Sequence, residues 1–322
     1  MFTPEDFALA ERAVYAAMRP TLANPWPLLA EETGCEVWVK HENHTPTGAF
    51  KVRGGLNYMA RLHDSGRPMP AGFISATRGN HGQSVPFAAA RYGLAVTIVV
   101  PKGNSVEKNA AMRALGAELI EYGESFDEAK EYAARLAQER DLHMVPPFHP
   151  WLVAGVATYA KELYEAAGEL DAVYAPIGMG SGLSGLIAMR DMMGLKTQVI
   201  GVVAQGADAY LRSFEAGRPV SAPASSFADG MAVGIPHPDA VEYINRGAER
   251  IVAVSEDDIA AAIRLCYTAT HNLAEGAGAA ALAALMRERG IMRGKRCAVI
   301  LSGGNIDADK FAAVLSGKTP AP

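Results

Sequence analysis

Cysteine is scarce in this chain. Cys35, Cys266 and Cys297 are the three in 322 residues, scattered and odd in number. That excludes a disulfide framework and fits buried thiols in a reducing compartment, so the protein is expected to be cytoplasmic. An excess of basic charge is also missing: a net charge of −5 gives no electrostatic footprint for nucleic acid. No apolar run approaches the roughly 20 residues of a membrane span, and the start Met1–Asp6 lacks the basic residues of a signal peptide. Neither nucleic acid nor a membrane is therefore an expected partner. His41, His44, His81, His143, His149, His237 and His271 show no paired ligand spacing, so no metal site is expected. There is no internal repeat, and only Lys318–Pro322 reads as a frayed tail.

What is present is an ordinary globular balance, 49% apolar and 20% charged, long enough for one large α/β unit or two lobes. Phe2–Met18 has helical spacing, with Thr3 as N-cap and Pro4 at the first helical position. Asn24–Pro27 is turn chemistry before the alternating strand Glu36–Lys40. From Ala71 the pattern repeats as strand, turn, helix: strands at 72–75, 95–100 and 118–121, helices at 82–92, 105–115 and 125–140. The β-branched run 95–100 is of the kind buried on both faces of a parallel sheet. Val145–Pro150 reads as a linker and 155–167 as a helix. Strands follow at 172–177, 199–204, 251–254 and 296–301, with helices at 256–269 and 277–287, the latter alanine-rich. The segment 217–238, rich in Pro, Gly and Ser, reads as loop.

Three stretches carry candidate chemistry. In Asn43–Gly55, Pro46-Thr47-Gly48 makes a turn and Lys51 stands at the start of a helical pattern. The positive end of the helix dipole favours its neutral amine, the form that Schiff-base chemistry needs; the plain alternative is a surface lysine opening a helix. Gly178-Met179-Gly180-Ser181-Gly182 follows a strand and opens a helix, where glycines let backbone N–H groups approach a phosphate. Its Gly180-x-Gly182-x-x-Gly185 also fits a dinucleotide fingerprint. That reading needs an acidic residue about 20 positions on, and Gln205 stands where it should be. Ser75–Gln83 likewise joins a strand to a helix and points N–H groups at an anion.

Pro-Thr-Gly-Ala-Phe-Lys-x-Arg-Gly around Lys51 resembles the cofactor-lysine motif of the serine/threonine dehydratases. These are pyridoxal-phosphate (PLP) lyases of the tryptophan-synthase-β fold type, and their relatives include serine racemases and 3-hydroxyaspartate dehydratases. Further matches run from about Trp26 to Asp307. The resemblance implies an α/β, two-lobed fold, each lobe a mostly parallel sheet flanked by helices. Residues 1–68 and 146–322 would form the large PLP-binding domain and 69–145 the small one. It implies that Lys51 is the catalytic Schiff-base lysine and that Gly178, Met179, Gly180, Ser181 and Gly182 bind the phosphate. Phe50 would lie beside the cofactor, Asn80 would bond its ring oxygen, Glu275 would lie near its ring and Ser302 would face its pyridine nitrogen. Thr77, Arg78, Gly79, Asn80 and His81 would hold the substrate carboxylate. Asp229-Gly230-Met231 would line the cofactor side.

Met179 and Ser181 depart from the family's glycine tetrad, the serine adding a hydroxyl donor. Arg78 replaces the serine that racemases use as a second proton donor, and an arginine does not release a proton in this range. It supplies a fork for a second substrate carboxylate, or else it is a surface arginine or an internal ion pair. Val203 and Ala209 stand where some relatives ligate a divalent cation. The chain stops soon after the last motif, resembling members without a regulatory domain. The expectation is a PLP-dependent dehydratase acting on a small β-hydroxy amino acid, as a cytoplasmic homodimer. The rivals are a racemase of the same family and an NAD-dependent oxidoreductase.

Overall fold

The structure, a computed structural model, describes residues 1–66 and 68–321; Arg67, and Pro322 of the segment read as a frayed tail, lie outside the described residues. Helix α1 (Pro4–Tyr15) starts at a capping box: Thr3 Oγ1 accepts from Asp6 N–H, and the Asp6 carboxylate accepts from Thr3 N–H, each at 3.1 Å. Strand β1 (Ala23–Pro25) and helix α2 (Pro27–Thr33) replace the turn expected at Asn24–Pro27, and strand β2 (Glu36–His41) follows where a strand was expected. Pro25 is tolerated because β1 lies at a sheet edge, and Pro27 because it opens α2. Helix α3 (Lys51–Asp64) then begins at the candidate lysine itself.

The next segment alternates strictly: β3 (Phe73–Ala76), α4 (Asn80–Ala89), β4 (Val96–Val100), α5 (Val106–Ala114), β5 (Glu118–Glu121), α6 (Phe126–Glu139) and β6 (His143–Met144). Its strands form a parallel sheet in the order β5-β4-β3-β6. All of β4 is buried, as its β-branched run required. Serines cap α5 and α6: Ser105 Oγ accepts from Lys108 N–H at 3.1 Å, and Ser125 Oγ from Glu128 N–H at 3.2 Å.

The remainder contains α7 (Pro150–Ala167), β7 (Ala172–Pro176), α8 (Ser181–Met192), β8 (Gln198–Ala204), α9 (Ala209–Ala216), α10 (Pro238–Gly247), β9 (Arg250–Val254), α11 (Glu256–Thr270), α12 (Gly276–Met292), β10 (Arg296–Leu301) and α13 (Ala308–Leu315). With β1 and β2 its strands form a sheet ordered β1-β2-β10-β7-β8-β9, parallel except for β1. The result is an α/β fold of mostly parallel sheets flanked by helices, as the sequence implied. Helix α7 begins at Pro150 and not at Gly155, because the His149 ring accepts from Trp151 N–H at 3.1 Å and proline fits the first helical position. Alanines of α12 are buried against β7 and β10, where small side chains allow close approach of helix and sheet. The tail is tied down instead of frayed at its start: Lys318 N–H donates to Ala313 O at 3.0 Å, and Thr319 Oγ1 donates to Asp257. Among the described residues no helix is long and apolar enough to cross a membrane.

Candidate active site

Parallel strands deliver their following loops to one edge, and the candidate residues collect at such edges. β2 and β10 run side by side to the pair His41–Leu301, so the segments after them emerge together. There the turn before Lys51 pairs with the end of the β10 loop. Phe50 N–H donates to Ser302 O at 3.0 Å, Gly304 N–H donates to Gly48 O at 2.9 Å, and Ala49 bridges to Gly303. Ser302 is buried beneath this pairing. Thr45 Oγ1 closes the turn by accepting from Ala49 N–H at 2.9 Å.

Lys51 therefore projects from the first turn of α3 into the interior. Burial lowers its pKa to about 8, against an opposing pull from the Glu275 carboxylate. Its ammonium lies 5.0 Å from the centre of the Phe50 ring. Two residues on, Arg53 is wholly buried and anchors the helix. It donates from Nε to Glu42 at 2.7 Å and from Nη1 to Glu162 at 2.6 Å, and Lys40 also reaches Glu162. Nothing local in the sequence announced this ionic cluster, whose partner Glu162 lies 109 residues away.

Asn80 and Glu275, separate candidates in the sequence, are in contact: Asn80 Nδ2 donates to Glu275 Oε1 at 2.5 Å. Asn305 Nδ2 donates to Asn80 Oδ1 and to Thr47 O, both at 2.8 Å, and so links the substrate loop to the turn before Lys51. This packing explains Gly303. A Cβ there would lie 2.4 Å from Glu275 Oε1 and 3.0 Å from Ala49 Cβ. Thr77 is buried and accepts from Gly79 N–H at 3.1 Å. The His81 imidazole is pushed down to about 3, first by burial and then by the Lys51 cation, so it stays neutral; its Nε2 is buried without a partner. Arg78 is exposed and, among the described residues, makes no ion pair, which removes the internal ion-pair reading.

The glycine stretch leaves β7 and enters α8 at Ser181, with Gly180 at φ +95°, a conformation that favours glycine. Two tyrosines that the sequence did not single out brace it: Tyr210 donates to Met179 O at 3.0 Å and Tyr159 to Gly182 O at 2.8 Å. Tyr159 meets the Phe50 ring edge-on at 6.0 Å, and that ring comes within 3.6 Å of where a Cβ on Gly182 would sit. The loop thus lies beside Phe50, next in sequence to Lys51. Ser181 is buried, and the buried Ser184 hydroxyl in the first turn of α8 has no partner.

The structure also adds a residue. Lys108, from α5, is buried with its Nζ 3.2 Å from Asp229 Oδ2 and 3.3 Å from Glu275 Oε2. Burial opposes its charge, but the two carboxylates outweigh burial and raise its pKa. Its partners are 121 and 167 positions away, too far for any spacing rule to find. The same cation borders a small cleft with Ser105, Phe227, Asp229, Glu275 and Asp307.

These residues fit a phosphorylated aldehyde. A glycine loop at a helix N-terminus, with an orphaned buried hydroxyl, suits the phosphate, and a buried amine of lowered basicity lies near it for the carbonyl. An enzyme that holds a carbonyl cofactor through a lysine is the class that fold and site define. The family model of the pyridoxal-phosphate dependent enzymes matches residues 14–303, and the chain belongs to that family; PLP is its cofactor. The chain is 34% identical over 318 residues to the L-threonine ammonia-lyase of Thermotoga maritima, covering 98% of this chain and 79% of that protein. Longer biosynthetic threonine dehydratases also match, and the chain spans 59% of their length in Salmonella typhimurium and Escherichia coli. Among solved structures, the processed form of threonine deaminase isoform 2 from Solanum lycopersicum superposes with a TM-score of 0.89 at 29% identity, covering 97% of this chain and 92% of that one. A PLP-dependent aspartate racemase superposes with a TM-score of 0.90 at 26% identity, covering 96% and 97%. The oxidoreductase reading falls with the family assignment, and the end of β8 carries the exposed Gln205 where a ribose-binding carboxylate would be needed.

Proposed function

We propose that the chain is a dehydratase that removes water from a small β-hydroxy amino acid, with Lys51 as cofactor lysine and general base. One observation carries this: the desolvated Lys51 amine has a pKa of about 8, stands beside the Phe50 ring against which the glycine loop lies, and is close enough to Glu275 and His81 for their charges to interact. When bound, PLP supplies an electron sink for the negative charge developed at Cα. Gly178, Met179, Gly180, Ser181 and Gly182 would hold its phosphate at the α8 N-terminus, Asn80 would bond its ring oxygen, and Ser302 would face its ring nitrogen. Phe50 would pack beside it, and Glu275 orients Asn80. The backbone from Thr77 through Gly79 to His81 holds the substrate carboxylate. Lys51, once free, accepts the α-proton at Nζ. The β-hydroxyl leaves as water, and the released enamine takes up water to give a 2-oxo acid and ammonia. The similarity to a threonine ammonia-lyase supports this reaction class.

A racemase would need a second proton donor facing Lys51 across the substrate, and Arg78 cannot serve as one. Its guanidinium, exposed and without an ion pair among the described residues, is free to pair with a second carboxylate on a substrate such as 3-hydroxyaspartate, the rival reading being a surface arginine. We further read 1–68 and 146–322 as the cofactor-binding domain and 69–145 as the small domain, supported by the confinement of the four-stranded sheet to 73–144. Three free, buried cysteines support a cytoplasmic location. The homodimer reading rests on family resemblance, and sedimentation tests it. Lys51→Ala tests the central proposal: it should abolish turnover and the visible absorbance of bound cofactor while the melting temperature stays close to wild type. Activity within about tenfold of wild type would refute it.

A further inference from the structure

The Lys108 ammonium is buried, and the reaction as described gives it no role of its own. From the four-stranded unit it reaches two carboxylates of the six-stranded unit, Asp229 at 3.2 Å and Glu275 at 3.3 Å. A Cβ on Gly79 would lie 3.6 Å from its Nζ, so the cation also borders the substrate loop. Glu275 divides its oxygens: Oε2 takes Lys108 and Oε1 takes the amide of Asn80. Asn80 in turn receives Asn305, which is tied to Thr47 ahead of Lys51.

We infer that Lys108 is a positioning residue of the active site, acting through Glu275 to orient the Asn80 amide toward the cofactor. A carboxylate next to one fixed cation and one fixed amide has its rotamer set from both sides. Without the cation, Asp229 and Glu275 face each other as like charges, and Glu275 loses the contact that sets its tilt. The same helix start makes two other contacts across the units: Ser105 Oγ donates to Asp307, and Ala308 N–H donates to Glu107 at 2.8 Å. These tether α5 without touching Glu275, so they separate positioning from simple anchoring. The inference rests on the proposed PLP reading of the site.

The test is a double-mutant cycle on the holoenzyme, with kcat/KM and the visible circular dichroism of bound cofactor as readouts. Lys108→Met should lower kcat/KM about 30-fold, in line with coupling energies within one buried network. It should also change the cofactor's dichroic band, as Glu275→Gln does. The double variant should fall no more than about threefold below Glu275→Gln alone. Asp307→Ala and Glu107→Ala should stay within about threefold of wild type with an unchanged band. If Lys108→Met does not fold, Lys108→Gln, which keeps a donor and removes the charge, takes its place in the cycle. Losses that multiply in the double variant would overturn the inference. So would Asp307→Ala matching the Lys108 variant in both readouts, which would make Lys108 a tether only. Failure of the PLP reading itself would look different, since no variant would then show a cofactor band.

Discussion

Glu275→Gln should make Lys51 less basic. Burial sets the Lys51 pKa at about 8, and the Glu275 carboxylate is the influence that holds it up against further decline. Removing that negative charge, while Lys108 remains nearby, pushes the amine further toward neutrality. At pH 7 an amine of pKa 8 is roughly one-tenth neutral, about 300-fold more than an ordinary lysine. A carboxylate at short range shifts a neighbour by about one unit, so the variant should be roughly half neutral at pH 7. Only the neutral amine attacks a carbonyl. Cofactor capture by the cofactor-free enzyme, followed by visible absorbance, should therefore rise with pH around a midpoint near 8 in wild type. In the variant the midpoint should lie about one unit lower, with capture about fivefold faster at pH 7. Comparing the two proteins at each pH cancels the titration of PLP itself. A wild-type midpoint near that of a free lysine, or a variant midpoint that moves up, would refute the reasoning.

Arg53→Met leaves Glu42 and Glu162 buried with Lys40 as their one remaining cation among the described residues, and should destabilise by roughly 3–5 kcal/mol; an unchanged urea midpoint would show the cluster to be relaxed by water. Arg78→Ser should depress activity on 3-hydroxyaspartate by about one to two orders of magnitude more than on threonine, the worth of one charge-assisted pair of about 1.5–3 kcal/mol. Equal losses on both substrates would confine Arg78 to shaping the loop. Dialysis against a chelator should leave both rate and melting temperature unchanged, since the side chains of Val203 and Ala209 offer no ligating atom; a loss restored by Mg²⁺ or Ca²⁺ would reveal a cation site elsewhere.

The sequence by itself determined the parallel α/β architecture, because β-branched runs such as 96–100 alternate with capped amphipathic helices at short range. It also marked the glycine loop and the Asn80 loop, because strand-to-helix turns bearing glycine announce themselves within a few residues, and Lys51 through the resemblance of its motif to a known family. It fixed element ends less well. Prolines that read as turns at Pro25 and Pro150 are accommodated by an edge strand and by a first helical position, and which of these applies depends on neighbours distant in the chain. Only the tertiary structure decided how the marked residues work together. Lys51 owes its lowered basicity chiefly to burial, where the sequence suggested the helix dipole, and burial is supplied by elements far along the chain. Lys108 meets Glu275 and Asp229, and Arg53 meets Glu162, across more than a hundred residues. Charge pairs at such separations are set by how elements distant in the chain pack together, as α3 does against α7, and no local pattern encodes that.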